Sequence, residues 1–553
     1  MFHTLWCLAA QRKGMVIKMK GTLKKMLATG LAAFMAFSVT ACGDSGASSS
    51  TSGAASSGDV SATQGSETIE ITGFAMEGPY TKGDFNDLPI WDYAEEATGV
   101  RVNFETAPQA SFQEKLNLKF ASNQLPDVFF KCTLESADIT KYSSEGTLVP
   151  LDDYLEEYAP NFSTFMEDDT SIEKEIRLAD GKIYGFPYLV TAAPSRIFPK
   201  LFINQKWMEA QNLEMPETTD DFYEMLKTMS GYDYNGNGTK DEIPFCTEGV
   251  NGLTKGLMGS FGLLTRGAAQ EEWDIDPETG ELRFVKTTDE YKAFLEFCNK
   301  LYEEKLLDQE VFTVDIPKLT AKAEQNILGV VFTNNTNYLG SYAEDYTYIP
   351  APLIGPDGDQ LFGGRTIPVA GQNTFITKVN EHPAETVKWV DYFYSPEGIE
   401  HFFMGVEDDT YTIDDEGNPQ FTDKVMNNPD GMNMEEVLGS YVCWSGGGNP
   451  SVADDAHFGN FMIPETTVNA AQALIDYTPE IVWGQLNYSA EDATRISVLT
   501  TDISTYLTDM TAKFITGEAS FDQWEDYKAN VEKMGLEEYR EIVQKTIDNA
   551  GME

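Results

Sequence analysis

Strands and helices alternate along the first part of the body of this chain, and this alternation constrains the fold more than any other feature. Residues 67–74 alternate polar and apolar side chains, as a half-buried strand does. A helical segment at 88–98 follows and ends at Gly99, a residue type that commonly ends helices. Residues 100–104 then alternate as the next strand. Strands separated by helices usually pair in parallel, so the sequence predicts an α/β fold with a parallel sheet.

The body of the chain is too long for one hydrophobic core. Roughly 490 residues follow a Gly/Ser-rich segment, whereas a single core organises about 250–300. A second unit begins near residue 200 with a strand at 201–204, and the last ~55 residues have helical spacing of apolar side chains. We therefore expect at least two lobes.

Residues 19–42 have the pattern of a bacterial lipoprotein export signal, and Met19 is a better start than Met1. Three lysines precede an apolar stretch at 26–39 that is too short to span a bilayer. The stretch ends at Cys42 in the sequence Val-Thr-Ala-Cys, which resembles a lipobox. That resemblance implies removal of residues 1–41 and lipidation of Cys42, with palmitate among the acyl chains. The alternative is a plain secretory signal with a chance cysteine.

The segment after Cys42 and the charge of the chain both fit a protein held at a cell surface. Residues 43–65 are almost entirely Gly, Ser, Ala and Thr, which predicts a flexible tether. No later apolar run reaches the ~18 residues of a membrane span. The chain has 89 acidic and 39 basic residues, a net charge of −50, which excludes a nucleic-acid partner because phosphates would be repelled. We expect a lipid-anchored protein on the extracellular face of the membrane.

The cysteines and histidines of the body form no catalytic or metal-binding pattern. The cysteines lack the spacing of a metal site or a disulfide framework, and we predict that they are small core residues, with an oxidised pair left open: Cys132, Cys246, Cys298 and Cys443. The histidines are too scattered for a zinc site or a catalytic triad: His382, His401 and His457. No catalytic residue is predicted.

A segment between residues 233 and 242 has the spacing of a calcium-binding loop. Oxygen-bearing side chains occupy positions 1, 3, 5 and 9, and Gly238 at position 6 permits the sharp bend. The backbone carbonyl of Thr239 would be the ligand at position 7, and Glu242 would replace the usual glutamate of position 12, where this chain has proline. The predicted ligands of a structural calcium ion are Asp233, Asn235, Asn237, Thr239, Asp241 and Glu242. The alternative is a hairpin turn, which Asn-Gly pairs also favour.

Several short segments, in their order and spacing, resemble family 1 extracellular solute-binding proteins of ABC importers, in particular the large lipoprotein group of Firmicutes. The segments are NQLPDV at 123–128, DGKIYGFP at 180–187, FINQKW at 202–207, NGTKDEIP at 237–244, GVEDDTY at 405–411 and FITG at 514–517. The loop at 233–242 is similar to the calcium site of alginate-oligosaccharide-binding proteins in this family.

The resemblance implies a type II periplasmic-binding-protein fold, in which hinge crossings join two α/β lobes around a ligand cleft. By similarity to maltose-binding proteins, the chain should cross near 189–193, return near 363–369 and cross again around 430–440. The implied domains are lobe 1 at 66–190 and 366–435, and lobe 2 at 191–365 and 436–553, with the calcium loop in lobe 2.

Five residues are candidate ligand contacts. Trp444 and Trp483 lie beside glycines in predicted loops, where an indole can stack on a sugar ring, although packing in the core is the alternative for both. Glu77 follows the first strand, in the loop that faces the cleft in such folds. Tyr188 and Arg196 lie close to the first predicted crossing. The remaining tryptophans of helical segments are predicted to be core residues: Trp91, Trp207, Trp389 and Trp524.

The resemblance implies that the protein captures an oligosaccharide and delivers it to the permease subunits of an ABC transporter. We expect a monomer that performs no chemistry on its ligand. A peptide-binding receptor lipoprotein is one alternative, in which Arg196 or Arg365 would pair with a peptide carboxylate. A surface glycoside hydrolase is another, and it would need two carboxylates that face each other across a sugar site.

Overall fold

The computed structural model describes residues 68–552, apart from 135, 431, 433, 445–447 and 460–462. The predicted signal, Cys42 and the tether lie outside this range. The predicted α/β class is correct: parallel strands alternate with helices in the first part of the chain and are followed by a largely helical C-terminal region. Across the described positions, no helix combines the length and apolarity that a membrane crossing requires.

The strands form one sheet of six, one of four and two separate hairpins. In chain order they are β1 (Ile69–Glu77), β2 (Val100–Pro108), β3 (Val128–Phe130), β4 (Gly185–Val190), β5 (Lys200–Asn204), β6 (Ile243–Thr247), β7 (Trp273–Ile275), β8 (Leu282–Phe284), β9 (Leu328–Thr333), β10 (Tyr346–Tyr348), β11 (Val369–Ile376), β12 (Tyr411–Ile413), β13 (Pro419–Phe421) and β14 (Val452–Ala453).

The α-helices of the described residues surround these sheets. They are α1 (Pro89–Thr98), α2 (Gln109–Ser122), α3 (Ser136–Ser144), α4 (Asp152–Tyr158), α5 (Pro160–Asp168), α6 (Thr170–Ile176), α7 (Ala193–Arg196), α8 (Gln205–Gln211), α9 (Thr219–Met229), α10 (Gly249–Leu257), α11 (Asp289–Glu303), α12 (Ile316–Ala323), α13 (Pro383–Asp391), α14 (Pro396–Met404), α15 (Asp423–Met426), α16 (Met434–Leu438), α17 (Glu465–Leu474), α18 (Ala490–Thr516), α19 (Trp524–Lys533) and α20 (Leu536–Ala550).

Local sequence signals account for the ends of several helices. Helix α1 has proline at its first position and ends at Gly99, whose φ of 76° is easily reached only without a side chain. Helix α9 starts with a reciprocal capping box, in which Thr218 and Asp221 each accept a hydrogen bond from the other's backbone N–H. These signals lie in the sequence itself, which is why both helices could be predicted from it.

The six-stranded sheet has the order β14-β4-β11-β3-β1-β2. Strand β1 is parallel to both of its neighbours, with Ile69 opposite Val100 and Gly73 opposite Val128. Strand β11 is antiparallel to β3 and β4, so β3 and β4 run in the same direction. Large aromatic side chains fill the core beside this sheet, where the ring of Phe130 lies 5.5 Å from those of Trp91 and Trp389.

The four-stranded sheet has the order β10-β5-β9-β6 and a separate core. Strands β6 and β9 are parallel, whereas β5 is antiparallel to β9. The C-terminal helices add Phe514, Trp524 and Val531 to this core. Burial of each such side chain contributes about 1.5–3 kcal/mol. The two sheets with their separate cores are the two lobes of the predicted fold.

One predicted boundary needs correction. A crossing at 430–440 would place the residues after it in lobe 2, but Val452 pairs with Leu189 in the six-stranded sheet and Cys443 lies in the core of that sheet. The chain therefore stays with the first sheet at least as far as Ala453. The other lobe boundaries stay a prediction.

Candidate functional site

Five of the six strands of the six-stranded sheet, all except β11, run in the same direction and end at the same edge. Strands β1, β3 and β4 run in the same direction and end at Glu77, Phe130 and Val190. In open α/β sheets, ligands bind outside the carboxyl ends of the strands. We call this the first edge.

The four-stranded sheet presents a corresponding edge. The parallel strands β6 and β9 end at Thr247 and Thr333, and the antiparallel strand β5 begins beside them, because Lys200 pairs with Thr333. We call this the second edge. The chain leaves the first edge at Val190 and enters the second at Lys200, so residues 191–199 connect the two edges directly.

Three segments lie side by side at this connection. Thr366 donates its backbone N–H to the Arg196 carbonyl at 3.0 Å, and Phe198 donates to the Gly364 carbonyl at 2.9 Å. On the other side, Thr191 donates to the Ala453 carbonyl at 2.9 Å. A small set of paired backbone segments between two lobes is the usual construction of a hinge.

Trp444 lies at the first edge and is half-buried. Its indole packs on Gly78, where a Cβ atom would stand only 2.3 Å from the Trp444 Cβ, so only glycine fits. Its Nε1 donates a hydrogen bond to Glu435 Oε1 at 3.0 Å. The ring is therefore held in one orientation beside the loop that follows β1.

Lys131, directly after β3, holds the backbone of the same region. It is 1% exposed and has a positive φ of 57°. Its ammonium group donates hydrogen bonds to the Trp444 carbonyl and to Asn449 Oδ1. Burial lowers the pKa of Lys131 to about 8, because charge is costly away from water.

A cavity of about 700 Å³ opens at the second edge. Glu248 and Gly249, which follow β6, lie on one wall, and one face of α18 lies on another. The charged and hydroxyl-bearing residues that also line the cavity include Glu271, Glu272, Lys286, Tyr291, Ser504, Thr508, Asp509 and Thr511. Helix α18 also contacts α3, which follows the first edge, so this helix lies along both lobes.

Three of the other predicted ligand residues lie at the first edge or in the crossing segment. Glu77 ends β1 at the first edge and accepts a hydrogen bond from Thr106 Oγ1 at 2.9 Å. Tyr188 is half-buried on β4, and burial raises its pKa. Arg196 lies in the crossing and donates from Nε to the Thr366 carbonyl at 3.0 Å; burial and the nearby Arg365 lower its pKa to about 10.

The prediction of Trp483 as a sugar platform is wrong. Its side chain is 1% exposed in the core of the second lobe, and its Nε1 donates to the Met552 carbonyl at 2.8 Å. A ring enclosed in this way presents no face to a ligand. The four tryptophans predicted as core residues are buried, and the four body cysteines are buried free thiols.

The predicted calcium loop is wrapped around Asp233. The Asp233 carboxylate accepts hydrogen bonds from the backbone N–H groups of Asn237 and Gly238 at 3.1 and 2.9 Å. Gly238 has a φ of 83°, as the bend at this position requires. The ring of Tyr234 stacks on the buried Trp207 at 3.9 Å and fixes the loop to the second core.

The side chains of the loop are suited to a hard cation. Glu242 accepts a hydrogen bond from the Tyr234 N–H through Oε1, while its buried Oε2 has no hydrogen-bond partner in the structure. Within the described residues, no three His, Cys, Asp or Glu side chains are grouped closely enough to hold a metal by themselves. An ion in this loop would therefore need the amide and carbonyl oxygens as well as the carboxylates, which is usual for calcium.

Comparison with known proteins identifies the family. Residues 78–400 match the family described as bacterial extracellular solute-binding protein. The chain belongs to this family. It is 28% identical over 488 residues to the fructooligosaccharide ABC transporter substrate-binding protein FusA of Streptococcus pneumoniae, and the match covers 85% of this chain and 88% of FusA.

Solved structures of such solute-binding proteins have the same fold. An EF-hand mutant of S. pneumoniae FusA in complex with fructo-nystose superposes with a TM-score of 0.67 at 25% identity, covering 87% of this chain and 99% of that one. The HMO-binding, ABC-transporter-associated solute-binding protein of Bifidobacterium longum infantis has a TM-score of 0.73 at 19% identity, covering 88% and 99%. The type II two-lobed fold is therefore established for this solute-binding protein.

Sequence reasoning missed the residues of the second edge. Glu248 and Asn334 each follow a buried strand of a parallel pair, which is a usable signal once the strands are assigned. The hydroxyl groups of α18 carry no such signal, because Ser and Thr on a helix surface are normally solvated.

Proposed function

We propose that this solute-binding protein captures an oligosaccharide between its two edges and delivers it to the permease subunits of an ABC transporter. The observation that carries the proposal is the match to FusA, because it extends over 88% of that protein and so includes both sheets and the hinge. The bound sugar would leave unchanged, since the protein acts by capture and release.

The geometry suits a clamp that closes on its ligand. Residues 191–199 join the two edges directly, so rotation about this short connection would bring the edges together. A ligand that contacts both edges favours the closed state by its difference in affinity for the two states. The permease would then receive the closed, loaded form.

The chemistry of the two edges suits a sugar of the fructooligosaccharide class. Trp444 is half-buried at the first edge, and sugar rings stack on the faces of indole rings through their C–H groups. The cavity at the second edge is lined by carboxylates and hydroxyl groups, which satisfy sugar hydroxyls. We therefore propose Trp444, Glu77, Tyr188 and Arg196 as ligand contacts of the first edge and the hinge.

A thermal-shift screen tests this proposal. Nystose, kestose, maltotetraose and short peptides would be added separately, because a ligand present at a hundredfold excess over its Kd stabilises the folded state by about 2.7 kcal/mol. We expect nystose or kestose to raise the melting temperature, and Trp444→Ala to reduce that shift. Ile413→Ala, a substitution of an exposed residue in the β12–β13 hairpin, is the matched control that should leave the shift unchanged.

Two other results would contradict the proposal and favour a different function. Stabilisation by peptides alone would favour a peptide receptor, and release of new reducing ends from the oligosaccharides would favour a glycoside hydrolase.

We also propose that the loop at 233–242 holds a structural calcium ion. Asp233, Asn235, Asn237, Asp241 and Glu242 would supply side-chain oxygens and Thr239 its carbonyl. The partnerless, buried Glu242 Oε2 supports this, since a bound cation would satisfy it. The EF-hand variant of FusA indicates that a loop of this kind occurs in a relative.

We further propose that a lipid anchor holds the protein at the membrane. Cys42 would carry the lipid, and the tether at 43–65 would hold the two lobes off the extracellular face of the membrane. We propose a monomer, with lobe 1 extended beyond 435 to include β14. Fractionation of cells that express the wild type or Cys42→Ala tests the anchor, because loss of the cysteine should release the protein.

A further inference from the structure

The four-stranded sheet fixes the position of Glu248 at the second edge. It directly follows β6, at the point where the parallel strands β6 and β9 end, and it lies on the wall of the 700 Å³ cavity. Its side chain is only partly exposed. The carboxylate is therefore held by the sheet instead of moving freely on a surface loop.

One oxygen of this carboxylate is engaged by the protein. Glu248 Oε1 accepts hydrogen bonds from the Thr333 hydroxyl and from the Asn334 backbone N–H, the latter at 3.3 Å. Both donors come from the end of β9, so they fix the orientation of the group. Within the described part of the chain, Oε2 receives no hydrogen bond.

The other three carboxylates of the cavity wall have partners of their own. Glu271 pairs with Lys255 at 3.3 Å, Glu272 accepts from the Tyr539 hydroxyl at 3.3 Å, and Asp509 pairs with Lys513 at 2.6 Å. Glu248 differs from these groups in its place at the end of β6, where two donors from the end of β9 hold its carboxylate through Oε1 and leave Oε2 as a further acceptor. A charged acceptor forms stronger hydrogen bonds than a neutral one.

We propose that Glu248 is the acceptor that fixes a sugar unit in this cavity and that it selects neutral sugars over uronic acids. The inference rests on the proposed function and specifies its ligand. Sugar hydroxyls would donate to Oε2, whereas a uronate carboxylate would be repelled by Glu248 and by the three further acidic side chains around it. Lys286 is the one basic residue among the lining side chains.

Calorimetric titration of the full-length protein with nystose tests the assignment. Glu248→Gln keeps the size of the side chain and an oxygen for Thr333 and Asn334, but it removes the charge and places an NH₂ donor where Oε2 was. We expect the affinity for nystose to fall at least about tenfold, the loss typical of a hydrogen bond to a charged group. Glu248→Asp, which withdraws the carboxylate from the cavity, should give a similar loss and carries the test if the glutamine variant is unstable.

Glu538→Gln is the matched control. It makes the same change of side chain as Glu248→Gln, but at a group outside the cavity lining that is paired with Arg495 of α18. Its affinity for nystose should stay within about twofold of the wild type. Equal losses in the Glu248 and Glu538 variants would overturn the assignment, because they would indicate a general effect of charge.

A uronic ligand tests the second half of the inference. The wild type should bind nystose and should not bind trigalacturonate under the same conditions. Binding of trigalacturonate as tightly as nystose would overturn the selectivity. Wild-type binding of nystose with an unaffected Glu248→Gln variant would refute this inference alone, whereas failure of the wild type to bind any sugar would refute the proposed function.

Discussion

At the scale of single residues, two buried lysines hold the backbone around the site. Lys131 donates to a carbonyl and an amide oxygen at the first edge, and Lys200 donates to the carbonyls of Pro194 and Ile197 at 2.8 and 2.7 Å. Lys200 is fully buried and lies at the start of β5. Its amino group therefore fixes the crossing segment to the second sheet.

The Lys200 contacts predict a pH dependence of stability. Burial lowers the pKa of Lys200 from 10.5 to about 7, so between these values the unfolded chain binds a proton that the folded chain does not. Stability contributed by this group must then rise with pH, by at most about 1.4 kcal/mol per pH unit. Chemical denaturation at pH 7, 8 and 9 should show the wild type gaining stability relative to Lys200→Met, in which this titration is absent.

The comparison of the two proteins cancels the titration of all other groups. A difference in unfolding free energy between wild type and Lys200→Met that stays constant from pH 7 to 9 would contradict the account.

The burial of two tryptophans depends on contacts with residues that are distant in the chain. Trp444 and Trp483 both lie near glycines, and the local pattern makes each a candidate platform. Trp483 is buried because its Nε1 bonds to the carbonyl of Met552, a residue 69 positions later in the chain. Trp444 remains at an edge because the opposing surface is Gly78. No local pattern contains such distant contacts.

At the scale of secondary-structure elements, segments of several residues with a clear pattern were predictable, and the two-residue strand β14 was not. The predicted strand at 67–74 and helix at 88–98 correspond to β1 (Ile69–Glu77) and α1 (Pro89–Thr98). Strand β14 has only two residues, too few to show a period, and its pairing with β4 depends on tertiary structure. For that reason the boundary of lobe 1 was predicted too early in the chain.

The loop at 233–242 should make the stability of the protein depend on calcium. If the loop holds a calcium ion, removing the ion with a chelator should lower the melting temperature of the wild type, because a ligand that binds only the folded state stabilises it. Glu242→Gln should weaken this response by removing a charged ligand. Mass spectrometry under native conditions would count the bound calcium directly.

Asp414→Asn is the control for the loop variant. Asp414 also accepts hydrogen bonds from two backbone N–H groups of a turn, those of Glu416 and Asn418 at 2.9 and 2.8 Å, but it is not predicted to bind metal. This variant should keep the full response to the chelator. A wild type that carries no calcium and melts at the same temperature with and without chelator would refute the proposal.

At the scale of the whole molecule, function depends on the two edges acting on one ligand. The sequence predicted two lobes from length and alternation, together with a family resemblance. It did not predict which side chains line the second edge, since Glu248, Thr333 and Asn334 are brought together only when β6 pairs with β9. Helix α18, with its 27 residues, lies along both lobes and completes the cavity.

Hydrogen exchange measured with and without nystose tests this central claim most directly. A ligand held between the edges should slow amide exchange at 77–80 and 131–134 of the first edge and also at 248–251 of the second edge, since both are then shielded from water. Slowing at both edges, together with unchanged exchange at 378–382, which follow the antiparallel strand β11 at the opposite edge of the six-stranded sheet, is the result the account predicts. Slowing at one edge alone, or at neither, would contradict it.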